Sequence, residues 1–528
     1  MEMERESMRL IGRAPADEPV DYGAVPFGKS FSNDSLNENI DVFLDVSHPH
    51  LILICGKRGT GKSYSMGNII ESIFMEDKRI TSRTSAIVVD TMGIYYSFKK
   101  INKTLDKEEV LLQNISSEQV SNLVKSTEII IPGGLEARYK SKNLTFTKSF
   151  SFLPYEIQLE DWCSVFDFEP TSAMALLFQR ILDRLRVTSK DGNYTLENIL
   201  DEIDYLFEIL EEEPLKRKKM FKQLGYVNVK SVSLEALKAR VNAAKNWGIF
   251  SENGEPIENL IQPGRLTILD LSLMQNIQGI QNLRGLILGL LLRKLYETKK
   301  FQRRIFDEKI LNGEIDDDKS TLLWVFVDEA HQFFPSNGSS PASPVFSTLV
   351  REGRQPGFSL VFATQQPGKI HSDAISQCDI VISHRIDSQS DIQALNNIKY
   401  AYMKNELMEE IKALPLQRGY AIILDDNTNS IFTIRVKKRI SSHQGGEPDL
   451  TNIKITMKNG SKKAVGSSKI VKIDVEKGEN QDDINELNES EENQNSEDSN
   501  LRTDIPDEDK FQESEKRLET RKKTLQRR

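Results

Sequence analysis

At 528 residues, with 38% hydrophobic and 28% charged side chains, the chain is too long for one ordinary domain and has the balance of a soluble globular protein rather than a membrane or fibrous one. The formal net charge of −9 argues against a protein coated with nucleic acid, although it leaves room for a local basic channel. Met1 to Arg13 is studded with charges and has no apolar signal core. The densest apolar run, Leu286 to Leu292, falls far short of the roughly 20 residues of a bilayer span. A cytoplasmic protein with no membrane partner is expected, and the three distant cysteines (Cys55, Cys163, Cys378) read as small core residues.

The first strong element is the apolar run Leu51 to Cys55. It is followed by Gly56-Lys57-Arg58-Gly59-Thr60-Gly61-Lys62-Ser63 and then a helical segment, Tyr64 to Phe74, which is the strand and helix context a phosphate-binding G-x-x-x-x-G-K-[ST] loop requires. Glycines let the backbone curl so that its N–H groups face a β-phosphate, and the helix N-terminus adds a favourable dipole. Lys62 is placed to neutralise the β and γ oxygens and the Ser63 hydroxyl to ligate Mg²⁺, so ATP and Mg²⁺ are the expected cofactors.

Further runs at Ala86 to Asp90, Glu128 to Ile131, Arg265 to Leu271, Leu322 to Val327, Ser359 to Thr364 and Ile380 to Ser383 read as strands. Continuous apolar strands alternating with helices mark a parallel sheet covered on both faces, an α/β core. From about Phe152 to Glu258 the period turns helical, with N-caps expected at Thr195 and Ser233. Asn312 to Lys319 reads as an acidic loop and Pro335 to Pro344 as a mobile Ser/Gly/Pro stretch. Asn480 to Asp509 holds too few apolar residues to repay its ordering entropy, and Glu515 to Arg528 reads as a solvated basic helix.

The strand Leu322 to Val327 ends in Asp328-Glu329, which places Asp328 beside the metal and Glu329 where it can polarise a water toward the γ-phosphate. A phosphotransferase needs no such second carboxylate, so hydrolysis is favoured. Gln365, at the end of the strand Ser359 to Thr364, is a candidate γ-phosphate sensor. Arg351 and Arg354 are candidate arginine fingers, groups that often arrive from a neighbouring subunit. Two basic segments are candidates for such a local basic channel: Gly133 to Lys142, preferred because its glycines follow a strand, and Lys216 to Lys219.

Taken together, His50-Leu-Ile-Leu-Ile with the phosphate loop, Asp90-Thr-Met-Gly93, Asp328-Glu-Ala-His331-Gln-Phe-Phe-Pro335, Arg351-Glu-Gly-Arg354, Ala363-Thr-Gln365-Gln-Pro367 and Arg439-Ile-Ser-Ser-His443-Gln-Gly-Gly446 resemble the HerA family, hexameric DNA-translocating ATPases related to FtsK. The resemblance runs from about Phe27 to Leu450. It implies a RecA-like P-loop core assembled as a ring around double-stranded DNA, working with a nuclease or other effector in DNA end processing or antiphage defence. It also implies Glu329 as base, Gln365 as sensor and Arg354 as the better finger candidate.

The chain divides on this reading into residues 1–44, with a reduced or absent β-barrel; 45–150 and 261–450, two parts of the ATPase core; 151–260, a helical insertion; and 451–528, a largely disordered tail. The family tends to carry an acidic residue where Ile94 stands. The Asp-Glu-Ala-His string also invites a DEAH-box reading, but those enzymes pack a second RecA-like domain that is not visible here. A conjugative coupling ATPase and a nucleotide-gated scaffold for an effector are the remaining alternatives.

Overall fold

The apolar runs become the central strands of one sheet because both faces of each are covered. In β4 (Leu51–Cys55), Leu53 and Cys55 face one apolar core while Ile52 and Ile54 face the other. The same alternation divides Ile87 and Val89 from Ala86 and Val88 in β5 (Thr84–Asp90). With two buried faces, strand periodicity disappears from the sequence and a continuous apolar run remains.

The computed structural model describes residues 8–13, 23–31, 40–102, 116–227, 229–251, 257–276, 283–314, 321–396, 410–411 and 413–444. All lie in the first of two units, residues 1–448. The expectations for 451–528, and for most of Asn312 to Lys319, fall outside the described residues.

Besides β4 and β5, the strands are β1 (Met8–Ile11), β2 (Ala24–Phe31), β3 (Asp41–Asp45), β6 (Thr127–Pro132), β7 (Lys148–Phe150), β8 (Leu266–Asp270), β9 (Leu322–Val327), β10 (Phe358–Thr364), β11 (Ile380–Ser383), β12 (Tyr420–Asp425) and β13 (Ser430–Val436). They form one sheet in the order β1-β3-β2-β13-β12-β11-β4-β10-β9-β5-β8-β6-β7. From β11 to β7 every pairing is parallel. β12, β13, β2 and β3 extend the sheet in antiparallel pairings, with β1 parallel to β3 at the edge. The fold is α/β, with a mostly parallel sheet.

One face is covered by α1 (Lys62–Met75), through Met66, Ile69, Ile70 and Ile73, and by Leu123 of α2 (Ser117–Ser126). The other face carries the helices α3 (Leu159–Phe166), α4 (Ala173–Thr188), α5 (Leu196–Glu211), α6 (Pro214–Leu224) and α7 (Ser231–Lys245), followed by α8 (Leu283–Leu311) and α9 (Ser343–Glu352). Phe178, Ile181 and Leu182 of α4 and Ile199, Ile203 and Leu206 of α5 join the same apolar core as the sheet.

Thr195 caps α5, its hydroxyl accepting from Asn198 N while the Asn198 side chain accepts from Thr195 N. The cap expected at Ser233 lies inside α7 instead, whose N-cap position is Lys230, because Ser231 begins the helix and bonds the Glu235 carboxylate. Pro335 to Pro344 is anchored at both ends, with Ser336 to Ser339 exposed between them. Pro335 bridges Ile370, Ser340 is buried, and Gly289 of α8 lies so close that a Cβ there would sit 2.7 Å from Pro341 O.

Candidate nucleotide site

Register determines which strand ends meet. Cys55 at the end of β4 pairs with Thr364 of β10, and Val327 of β9 pairs with both Phe362 and Val89. The residues that follow these ends, Gly56, Gln365, Asp328 and Thr91, therefore converge at the carboxyl edge of the sheet, where open α/β folds bind ligands.

After β4 the chain turns back through Gly56–Gly61 and enters α1 at Lys62. Gly61 has φ +123°, a region closed to side chains, and a Cβ on Gly56 would lie 2.6 Å from His384 Cβ. Buried His384 props the loop from beneath, bonded to Ser65 Oγ (2.9 Å) and Tyr420 O (2.9 Å). Burial pushes its pKa down to about 4, so the ring is neutral.

Lys62 Nζ reaches across the loop and donates to Lys57 O at 3.1 Å. Lys57 itself points outward and pairs with Asp387 at 2.6 Å, and Thr60 Oγ1 donates to Lys57 O. Arg58, Gly59 and half-buried Tyr64 line the cavity above the loop.

On the facing strand end, Asp328 Oδ2 accepts from Ser63 Oγ at 2.8 Å and from Tyr95 OH at 2.9 Å, while Oδ1 accepts from Glu329 N at 3.0 Å. Two hard oxygens, Ser63 Oγ and the Asp328 carboxylate, thus stand together at the loop, the donor set that suits Mg²⁺.

Glu329 adopts φ +51°, a left-handed conformation that costs a non-glycine residue on the order of 1 kcal/mol. Its Oε1 accepts from Gln365 Nε2. Its Oε2 is buried and accepts no hydrogen bond among the described residues. His331 Nδ1 lies 3.5 Å from Oε2, but bonds Thr364 Oγ1 at 3.2 Å, and burial lowers the pKa of its ring.

Sequence reasoning missed most of the opposite wall. Beyond β13, Lys437, Lys438 and His443 line the same cavity of about 500 Å³, together with Arg418 and Arg435. This segment is latched to α1. Glu71 accepts from Ile440 N, Ser441 N and Ser441 Oγ at 2.7 to 2.9 Å. Buried Arg439 lies 3.8 Å from the Glu71 carboxylate, and its guanidinium sits over the Phe98 ring at 4.7 Å. Gly67 of α1 makes room for it, since a Cβ there would lie 2.2 Å from Arg439 Nη1. The Arg439 to His443 motif was visible in sequence, but its partners Gly67 and Glu71 are ordinary helix residues hundreds of positions away.

The two candidate fingers lie apart from this cavity. Arg351, near the end of α9, is exposed and pairs with Asp373 at 2.6 Å. Arg354 is exposed on the loop before β10 and has no ion-pair partner among the described residues. The first candidate basic segment is not an open loop: Glu136–Ser141 is helical, Arg138 donates to Leu273 O, and Lys140 pairs with Glu136. Its glycines serve close packing, with a Cβ on Gly134 only 2.5 Å from Gly248 Cα. In α6, Lys216 pairs with Glu212 and Arg217 donates to Leu210 O, while Lys218 and Lys219 are exposed. Among the described residues, no helix is long and apolar enough to cross a membrane.

A mostly parallel sheet, a glycine loop running from β4 into a helix, and an Asp-Glu pair at the end of β9, with β10 between the two strands, define a P-loop ATPase. The family model described as "Helicase HerA, central domain" matches residues 28–295, and the chain belongs to that family. A second model, zonular occludens toxin, matches residues 266–412. The chain is 25% identical over 198 residues to the "DNA double-strand break repair helicase HerA" of Pyrococcus furiosus, a match covering 34% of each. It is 30% identical over 106 residues to a "probable DNA double-strand break repair helicase HerA" of Methanocaldococcus jannaschii, covering 20% of each. The matches thus span about a third or less of those relatives' length. Among solved structures, the bacterial conjugative coupling protein TrwBdeltaN70 aligns with TM-score 0.45 and 13% identity over 83% of this chain and 99% of that one. VirB4 of Thermoanaerobacter pseudethanolicus aligns with TM-score 0.41 and 12% identity over 80% and 99%.

Proposed function

We propose that the chain is an ATP-driven DNA translocase or helicase of the HerA type, hydrolysing ATP as part of a hexameric ring around double-stranded DNA. The observation that carries the reading is Glu329 Oε2, a buried carboxylate oxygen with no hydrogen-bond partner among the described residues, at the cavity that Lys62 and Gln365 also line. Buried acceptors are ordinarily satisfied, and an orphan at such a place suits an attacking water.

In this reading the backbone of Gly56–Ser63 cradles the phosphates and Lys62 neutralises the β and γ oxygens. Ser63 and Asp328 would hold Mg²⁺, which would supply charge neutralisation at the phosphates. Glu329 takes the proton of the attacking water. Gln365, bonded to Glu329, turns to the γ-phosphate and so reports its presence to the base. Arg354 enters the neighbouring subunit's site, and it is preferred to Arg351 because Asp373 already holds the latter.

Because one relative is described as a DNA double-strand break repair helicase and another as a probable one, DNA ends are among the substrates to test. A separate nuclease or effector subunit would do any cutting, in end processing or antiphage defence. Translocation is tested directly by displacement of a triplex-forming strand from linear duplex DNA. The wild type is expected to displace it in an ATP-dependent way and Glu329→Gln to leave it bound. ATP turnover without displacement by the wild type would overturn the motor.

A further inference from the structure

Tyr95 was not among the residues singled out from the sequence, yet it touches the centre of the site. Its ring is 1% exposed, and its hydroxyl donates to the same Asp328 oxygen that Ser63 Oγ bonds, at 2.9 Å and 2.8 Å respectively. Two donors on Oδ2, with Glu329 N on Oδ1, leave the carboxylate little freedom to rotate.

Tyr95 is itself held from two directions. The Asp90 carboxylate closes the loop after β5, its Oδ1 accepting from Met92 N (3.1 Å) and Gly93 N (2.7 Å) and its Oδ2 from Tyr95 N (2.8 Å). The Tyr95 ring stacks on Phe98 with centroids 6.1 Å apart, and the Arg439 guanidinium lies over Phe98 in turn. A hydroxyl fixed at both backbone and ring needs little further ordering to orient its partner.

We propose that Tyr95, held by the Asp90-closed loop, is a positioning residue that orients the Asp328 carboxylate toward the divalent metal of the nucleotide site. This rests on the reading of Ser63 and Asp328 as metal-holding residues. Groups that hydrogen-bond a metal-holding carboxylate commonly change metal affinity by about 10- to 100-fold when removed.

The test is Tyr95→Phe, which keeps the ring on Phe98 and removes only the hydroxyl. Asp90→Asn is a second variant that turns an amide donor toward Tyr95 N in place of its acceptor. Mn²⁺ affinity of the ADP-loaded protein is measured by electron paramagnetic resonance, alongside metal-free ADP affinity and ATP turnover against Mn²⁺ concentration. Tyr95→Phe is expected to weaken Mn²⁺ binding by about tenfold or more, leave metal-free ADP affinity at the wild-type value, and regain turnover at high Mn²⁺. Asp90→Asn is expected to shift Mn²⁺ affinity in the same direction. Wild-type Mn²⁺ affinity in both variants, while Asp328→Asn loses Mn²⁺, would overturn the positioning role. Retention of Mn²⁺ by Asp328→Asn would instead overturn the metal-site reading on which it rests.

Discussion

Glu329→Gln is expected to lower ATP turnover by on the order of 10²- to 10⁴-fold, the contribution of a positioned general base, while ATP still binds. The amide is nearly isosteric with the carboxylate, so the hydrogen-bonded neighbours Gln365 and Asp328 stay in reach. What is lost is the acceptor at Oε2, since an amide nitrogen there cannot take a proton. The phosphate loop is untouched, so nucleotide affinity, read with a fluorescent ATP analogue, should remain near that of the wild type. A variant that still turns over ATP at the wild-type rate would remove Glu329 from the role of base.

Arg354→Ala is expected to lower kcat by about 10³- to 10⁵-fold, the range for removal of an arginine finger. Within one chain the cavity is not lined by Arg354, which stands exposed and without an ion-pair partner among the described residues. Such a residue can act on a γ-phosphate only across a subunit boundary. Mixing Arg354→Ala protein with Glu329→Gln protein should therefore restore part of the turnover, because some boundaries join an intact Glu329 to an intact Arg354. Arg351→Ala, which breaks an exposed pair with Asp373, is expected to have the smaller effect. Full activity in Arg354→Ala, or inactive mixtures, would mean that the finger is elsewhere.

β4, β9 and β11 run over the same residues as the apolar segments read from sequence, because strands buried on both faces leave uninterrupted apolar runs. The phosphate loop and the Asp328-Glu329 pair were equally visible, since their chemistry depends on residues adjacent in the chain. Tyr95, Glu71 and Gly67 were not, nor were the partners of Arg439, because each acquires its place from a contact across many residues. Gly133 and Gly134 misled for a related reason. A glycine pair signals conformational freedom or close approach, and only the structure shows that Gly248 packs against them. The strands β1–β3 also escaped notice: β1 and β3 are short, and in all three, at one edge of the sheet, exposed and half-exposed positions break the apolar pattern.

A DNA motor couples its hydrolysis to DNA, and steady-state ATP turnover of the purified protein with and without linear double-stranded DNA reads that coupling. Strong stimulation by DNA in the wild type, absent in Glu329→Gln, is the predicted result. Turnover in the wild type that ignores DNA would contradict the motor and point to a nucleotide-gated scaffold for a protein partner.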